Sequence, residues 1–499
     1  MARTLTVALA TAMTLALTQV PAAQADSGPV VRTDKGAVRG KVTETVRTFG
    51  SIPFAAAPTG ENRWRDPRPV TPWPGVRDAT TPAPVCAQTP QLGEPGSDVE
   101  DCLYLNVTTP ARNSPRPRPV MVWIHGGGFI SGSASGYDAR WLATSNDAVV
   151  VTVNYRLGVF GYFGYPGLTG SGAFGLADQQ AALRWVQRNI RAFGGNARDV
   201  TVLGESAGGL SVCAQLASPG AAGLFGKAVI QSGPCGLSVP DPAVPGGLQT
   251  FWKPREEVEK QGAGLRLGCS DLACLRALPV SRLLQVHGEF AQPAFHTRVL
   301  PIDPHSAQDT GRMHRVPTLV GSTHDEMTLY AGLLYPERIP DDGFAAKAAQ
   351  VFGEQLGAQV VARYPVNGNA DARDELAAAL TDRSWSCPTH ETRQRLSRRM
   401  PVAGYEFADR NVPMFFPGMP PFPGGYQAFH ASELPLLFDF GVPLTAGQRE
   451  LSDYMVSAWG RFARTGDPGW RAEVQSLAAG AVGPADFSKD HKCEFWEAL

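Results

Sequence analysis

Val200-Thr201-Val202-Leu203-Gly204-Glu205-Ser206-Ala207-Gly208-Gly209 is the stretch on which the reading of this chain turns. Val200 to Leu203 is a short β-branched run, suited to a strand buried on both faces. The Ala- and Leu-rich stretch that follows, as far as Pro219, reads as a helix. Between them, Gly204 to Gly208 fits G-x-S-x-G. A glycine turn between strand and helix lets the backbone pack closely and lifts the serine hydroxyl clear. The free N–H groups of the helix start face any negative charge that develops there. Taken alone, the pentapeptide also fits a Gly-rich turn with an incidental serine. The flanking strand and helix favour Ser206 as a nucleophile.

The same alternation extends outward. Val120 to Ile124 and Ala148 to Val153 are apolar runs of strand length upstream. From Asp178 to Phe193, Leu183, Val186 and Ile190 recur at helical spacing, and Gly194-Gly195 stop the helix. Lys227 to Gln231, Val316 to Gly321 and Val402 to Phe407 read as further strands. Leu451 to Arg464 reads as a late helix with Tyr454, Met455, Trp459 and Phe462 toward the core. Strands alternating with helices predict an α/β fold: a large, mostly parallel central sheet flanked by helices. Long insertions are expected as well. Residues 30–109 look like a small edge sheet and loops, 241–315 are less regular, and 341–399 look helical.

Composition sets outer bounds. The chain has 499 residues, net charge −1, 43% hydrophobic and 18% charged residues, a globular balance. Near-neutral charge argues against nucleic acid as a partner. Arg3, an apolar stretch from Leu5 to Leu17 and Ala23-Gln24-Ala25 form a leader of the kind a signal peptidase removes. That stretch is shorter than the ~20 residues a membrane span needs. A leader over 1–25, one domain over 26–499, an extracellular location and no membrane anchor are therefore expected. Export permits disulfides among Cys86, Cys102, Cys213, Cys235, Cys269, Cys274, Cys387 and Cys493. There is no CxxC and no His at ligand spacing beside a Cys, so no metal is expected.

A serine hydroxyl needs a base to act as a nucleophile, and donors for the oxyanion it generates. His125-Gly126-Gly127-Gly128-Phe129 follows a buried strand and precedes the elbow, where an oxyanion loop belongs. Gly127, Gly128 and Ala207 are the expected backbone donors. No Lys-Ser/Thr pair and no GxGxxG accompanies these glycines, which disfavours a phosphate loop.

Several further motifs, spread over most of the chain, resemble one family. Ile52-Pro53-Phe54-Ala55 leading to Arg63-Trp64, Glu100-Asp101-Cys102-Leu103-Tyr104-Leu105-Asn106, Asn154-Tyr155-Arg156-Leu157-Gly158 and Gly204 to Gly209 are similar to signatures of the type-B carboxylesterases, which include the cholinesterases. The resemblance implies an α/β-hydrolase fold. It also implies a Ser-Glu-His order of catalytic groups. Val320-Gly321-Ser322-Thr323-His324-Asp325-Glu326 matches the acid-bearing stretch, so Glu326 is the expected acid. From composition alone Glu326 is not separable from Asp325. Phe429-His430-Ala431-Ser432-Glu433-Leu434 matches the histidine stretch, which makes His430 the expected base. Met327 stands where the family usually has Gly, and Ala173 where an Asn is common. The resemblance further implies the pairs Cys86–Cys102, Cys269–Cys274 and Cys387–Cys493, and structural ion pairs Arg63–Glu100 and Arg156–Asp178. Cys213 and Cys235 fall outside that set and are left as a bridge or two free thiols.

The implied activity is hydrolysis of carboxylic esters through an acyl-enzyme, with a small-molecule ester as substrate, no cofactor and no obligate protein partner. Residues 87–101 contain no aromatic side chain to hold a quaternary ammonium, which disfavours choline esters. Phe129, Met327, Met414, Phe415 and Phe416 are candidates for an apolar substrate pocket. Short-chain or aryl esters are the leading expectation, with a lipase acting on longer chains as the alternative. Non-catalytic adhesion members of the family typically lack a triad group. This chain keeps all three.

Overall fold

The computed structural model describes residues 28–241, 244, 246–366, 368 and 371–499. The expected leader at 1–25 lies outside them. The central sheet has eleven strands. Its first half is β1 (Lys41–Val42), β2 (Val46–Pro53), β3 (Tyr104–Pro110), β4 (Arg118–Ile124), β5 (Val149–Val153) and β6 (Gly195–Glu205). The second half is β7 (Lys227–Gln231), β8 (Thr318–Thr323), β9 (Val402–Phe407), β10 (Val474–Leu477) and β11 (Gly483–Pro484). Across the sheet they run β11-β10-β9-β8-β7-β6-β4-β5-β3-β2-β1. Every pairing from β10 to β5 is parallel, and both margins are antiparallel. The fold is thus the mostly parallel α/β sheet that the alternation predicts, and the α/β-hydrolase type that the resemblance implies. A separate three-stranded sheet near the N-terminus accounts for the Pro- and Gly-rich start.

Strand β4 shows why its run lacks alternation. Val120, Val122 and Ile124 pack into one hydrophobic layer, while Met121 and Trp123 pack into the layer on the opposite face. Both faces are covered, so both residue sets must be apolar. The helix α1 (Phe174–Asn189) lies in the first layer, through Leu176, Leu183 and Val186. A capping box at Thr445 and Gln448 starts the late helix α4 (Ala446–Thr465), which fills the second layer with Met455, Trp459 and Phe462. Tyr454, expected to face the core, is 38% exposed. At helical spacing it sits one position off the buried stripe.

All eight cysteines are bridged. The pairs Cys86–Cys102, Cys269–Cys274 and Cys387–Cys493 form, and Cys213–Cys235 is a fourth disulfide. Arg63–Glu100 and Arg156–Asp178 are buried ion pairs at 2.5 and 2.7 Å.

Candidate active site

The site forms at the carboxyl ends of the parallel strands, where open α/β sheets place their ligands. Strand β6 ends at Glu205, and helix α2 (Ala207–Ala217) starts one residue after Ser206. Ser206 itself has φ 57° and ψ −124°, a strained conformation for a side chain other than glycine. Its N–H donates to the Gln231 carbonyl at 2.9 Å, and its carbonyl accepts from Leu210 N–H, so both sides of the turn are fixed. A Cβ on Gly208 would sit 2.0 Å from the Ile124 carbonyl oxygen, and one on Gly204 2.5 Å from that of Gly208. The two outer glycines of the pentapeptide are therefore required by close approach.

Glu326 follows β8 and opens helix α3 (Met327–Leu334). Its side chain is fully buried. Thr323 N–H donates to its Oε1 at 3.0 Å, and Oε2 lies 2.5 Å from His430 Nδ1. Asp325 turns away, toward Arg410, His324 and the Ala428 N–H. His430 sits in the loop after β9, next to Ala431 at φ 72°. Its Nε2 faces Glu205 Oε1 at 3.2 Å, an ionic contact without hydrogen-bond alignment. Tyr330 lines the same cavity as Ser206. The rings of Tyr330 and Trp385 pack against His430 at 5.3 and 4.6 Å.

Four buried ionisable groups meet here. Burial opposes the charged form of His430, but Glu205 and Glu326 outweigh it and push the imidazole up to about 9. Burial pushes the Glu205 carboxyl up, with His430 opposing. Burial likewise raises Glu433, which accepts from Gln231 Nε2 at 3.2 Å. Gln231 in turn accepts from Trp459 Nε1 at 2.9 Å, which ties this network to helix α4.

Gly127 and Gly128 lie in left-handed conformations, at φ 95° and 61°. The loop is pinned from behind. Tyr155 donates to the His125 carbonyl, and Ile130 and Ser131 N–H donate to that of Gly127. A Cβ on Gly127 would fall 2.2 Å from the Ser131 carbonyl oxygen.

Ser206, Gly128 and Ala207 open on a cavity of about 600 Å³. Leu210, Leu237, Phe251, Met327, Leu380 and Trp385 supply much of its apolar wall. Trp385 Nε1 donates to Met327 Sδ at 3.3 Å, so the methionine in the usual glycine position is anchored by a neighbouring aromatic. Phe129, Met414, Phe415 and Phe416, expected in the pocket, do not line it. Phe129 is fully buried, edge-on to Tyr162, and Phe415 and Phe416 pack with Phe429, Phe415 also with Phe440. Phe129 is used within the core, and the half-buried Phe415 and Phe416 pack against the second hydrophobic layer. Glu205, Tyr330 and Trp385 were not picked out by sequence reasoning. Glu205 occupies the variable position of G-x-S-x-G beside the serine, and that adjacency is the signal that could have found it.

The Carboxylesterase family profile matches residues 27–479. Para-nitrobenzyl esterase of Bacillus subtilis (strain 168) is 34% identical over 468 residues, covering 89% of this chain and 91% of that protein. Liver carboxylesterase 1F of Rattus norvegicus is 33% identical, covering 89% and 87%. Acetylcholinesterase of Bungarus fasciatus is 33% identical, covering 88% and 78%. Two solved structures of PNB esterase superpose with TM-scores of 0.75 and 0.74 at 31% and 32% identity. They cover 94% of this chain and 99% and 100% of theirs. With the sheet, the elbow and these full-length similarities in agreement, this chain belongs to the carboxylesterase family and is a carboxylic ester hydrolase.

Proposed function

We propose that this is a secreted serine carboxylesterase in which Ser206, His430 and Glu326 form the catalytic triad. His430 takes the proton from Ser206 as Oγ attacks the ester carbonyl. Glu326 holds the imidazole through Nδ1 and stabilises its charged form. The backbone N–H groups of Gly127, Gly128 and Ala207 receive the oxyanion. The alcohol leaves with the proton from His430, and water then hydrolyses the acyl-enzyme through the same base. No cofactor takes part. In the resting arrangement His430 Nε2 faces Glu205, and the hydrogen bond from Ser206 to the imidazole forms in the substrate complex. Catalytic hydrogen bonds commonly tighten only in the substrate complex.

The observation that carries this reading is the 2.5 Å contact between His430 Nδ1 and Glu326 Oε2, beside a strained Ser206 that opens on an apolar cavity. The apolar wall supports short-chain or aryl carboxylic esters as substrates. Residues 1–25 are proposed as a cleaved leader and 26–499 as one domain. Four disulfides support export. No helix among the described residues is long and apolar enough to cross a membrane. Kinetics of Ser206→Ala on a panel of nitrophenyl esters test the proposal. The expected result is a fall in kcat on the order of 10⁴–10⁶ with an unchanged fold. Near-normal turnover would show that another group attacks. A sharp preference for long acyl chains would overturn the substrate class in favour of a lipase.

A further inference from the structure

A second cluster lies off the end of the acid-bearing strand β8. One donor atom from each of His324, Glu406 and His491 lies within 4.8 Å of the others. His491 is fixed from both sides. Its Nδ1 meets Asp382 Oδ1 at 2.5 Å and its Nε2 meets Glu406 Oε1 at 2.6 Å. His324 Nδ1 lies 2.9 Å from Asp325 Oδ1, and the two imidazoles are 4.9 Å apart. His491 and Glu406 are buried. His324 is 27% exposed at its side chain and lines, with His491, a second cavity of about 420 Å³. No ligand spacing in the sequence flags these residues, because the fold gathers them from three separate segments.

We propose that His324, His491 and Glu406 form a binding site for a divalent first-row transition metal ion of the zinc class, separate from the ester-hydrolysing centre. Two imidazoles and one carboxylate are a donor set that such ions take, with water from the cavity in the remaining positions. Each imidazole already has a carboxylate on Nδ1, the outer-shell contact that orients metal-ligating histidines. The ion replaces the proton held between His491 Nε2 and Glu406, so binding releases one proton to solvent. Zinc bonds of about 2.0–2.2 Å set donors roughly 3.4 Å apart. His491 and Glu406 therefore open slightly, and the part-exposed His324 closes in. Arg410, Lys492 and Arg363 are cations that line the same cavity. Arg410 pairs with Asp325, and its Nη2 also lies 3.1 Å from His324 Nδ1, a contact it gives up when that nitrogen turns its proton to Asp325 and Nε2 takes the ion. Lys492 lies 3.9 Å from Asp382, and Arg363, on the same cavity, stacks on Phe495. Such an ion ties the segment that carries His491 to the loop that carries Glu326.

The test is calorimetric titration of Zn²⁺ into the untagged, oxidised protein and into His324→Ala. His324 touches neither Ser206 nor His430, and its exposure makes the variant safe for folding. The expected result is one Zn²⁺ per chain, with affinity at least about tenfold weaker in His324→Ala. Electron paramagnetic resonance of the Cu²⁺-loaded protein gives an independent reading. Two nitrogen ligands are expected in the parent and one in His324→Ala. No saturable binding, or equal affinity and equal nitrogen count in parent and variant, overturns the proposal. Ester hydrolysis without added metal serves as the control for fold in both proteins.

Discussion

Replacing Glu205 by glutamine should extend ester hydrolysis toward acid pH. Glu205 Oε1 stands 3.2 Å from His430 Nε2, and both side chains are buried. Two unit charges at that separation interact by about 5 kcal/mol at an effective dielectric of 20, and by about 1 kcal/mol in bulk water. At about 1.4 kcal/mol per pKa unit, those limits correspond to roughly four units and one unit. The upper limit is not reached, because burial raises the Glu205 carboxyl itself to about 8 and leaves it only partly ionised near neutrality. Loss of the charge should therefore lower His430 from about 9 by roughly one to two units. A lower imidazolium pKa leaves the neutral base available at lower pH. The acid limb of kcat/KM against pH then moves down by the same amount. Glutamine keeps the shape of the side chain, which limits repacking. The assay is kcat/KM for a nitrophenyl ester, measured across pH 5 to 10 (roughly the span of the two limits) on parent and variant. An acid limb that stays in place or moves upward would refute the reasoning.

Three further outcomes follow from the same geometry. Gly127→Ala should lower kcat on the order of 10²–10³, because its Cβ would meet the Ser131 carbonyl oxygen at 2.2 Å and displace the donor loop; circular dichroism should stay close to the parent. Arg156→Ala should destabilise the fold by about 3–5 kcal/mol in urea titrations, since it leaves Asp178 buried without its cation. Removing the Cys387–Cys493 bridge, which spans 106 residues, should cost about 4–5 kcal/mol by loop-closure entropy and lower the melting temperature of the oxidised protein.

Much of this fold is legible because its signals are local. The buried strands β4 and β6 show continuous apolar runs, since helices cover both faces of the sheet. The elbow is legible because the close approach around Gly204 and Gly208 admits no Cβ. The acid is not legible from neighbours alone. Asp325 and Glu326 are adjacent, and only the direction of each side chain separates them: one meets Arg410, the other His430. Aromatic character misled at Phe129, Phe415 and Phe416, because an apolar ring suits a core as well as a pocket. Tyr330 and Trp385 could not be singled out, as their place beside His430 comes from long-range packing. The same holds for His324, Glu406 and His491, which sequence spacing scatters and the sheet gathers.

Covalent trapping with a fluorophosphonate, followed by peptide mass mapping, tests the central claim most directly. The account predicts one adduct per chain, carried by the peptide containing Ser206, with parallel loss of ester hydrolysis. An adduct on another residue, or full loss of activity with Ser206 unmodified, would contradict it.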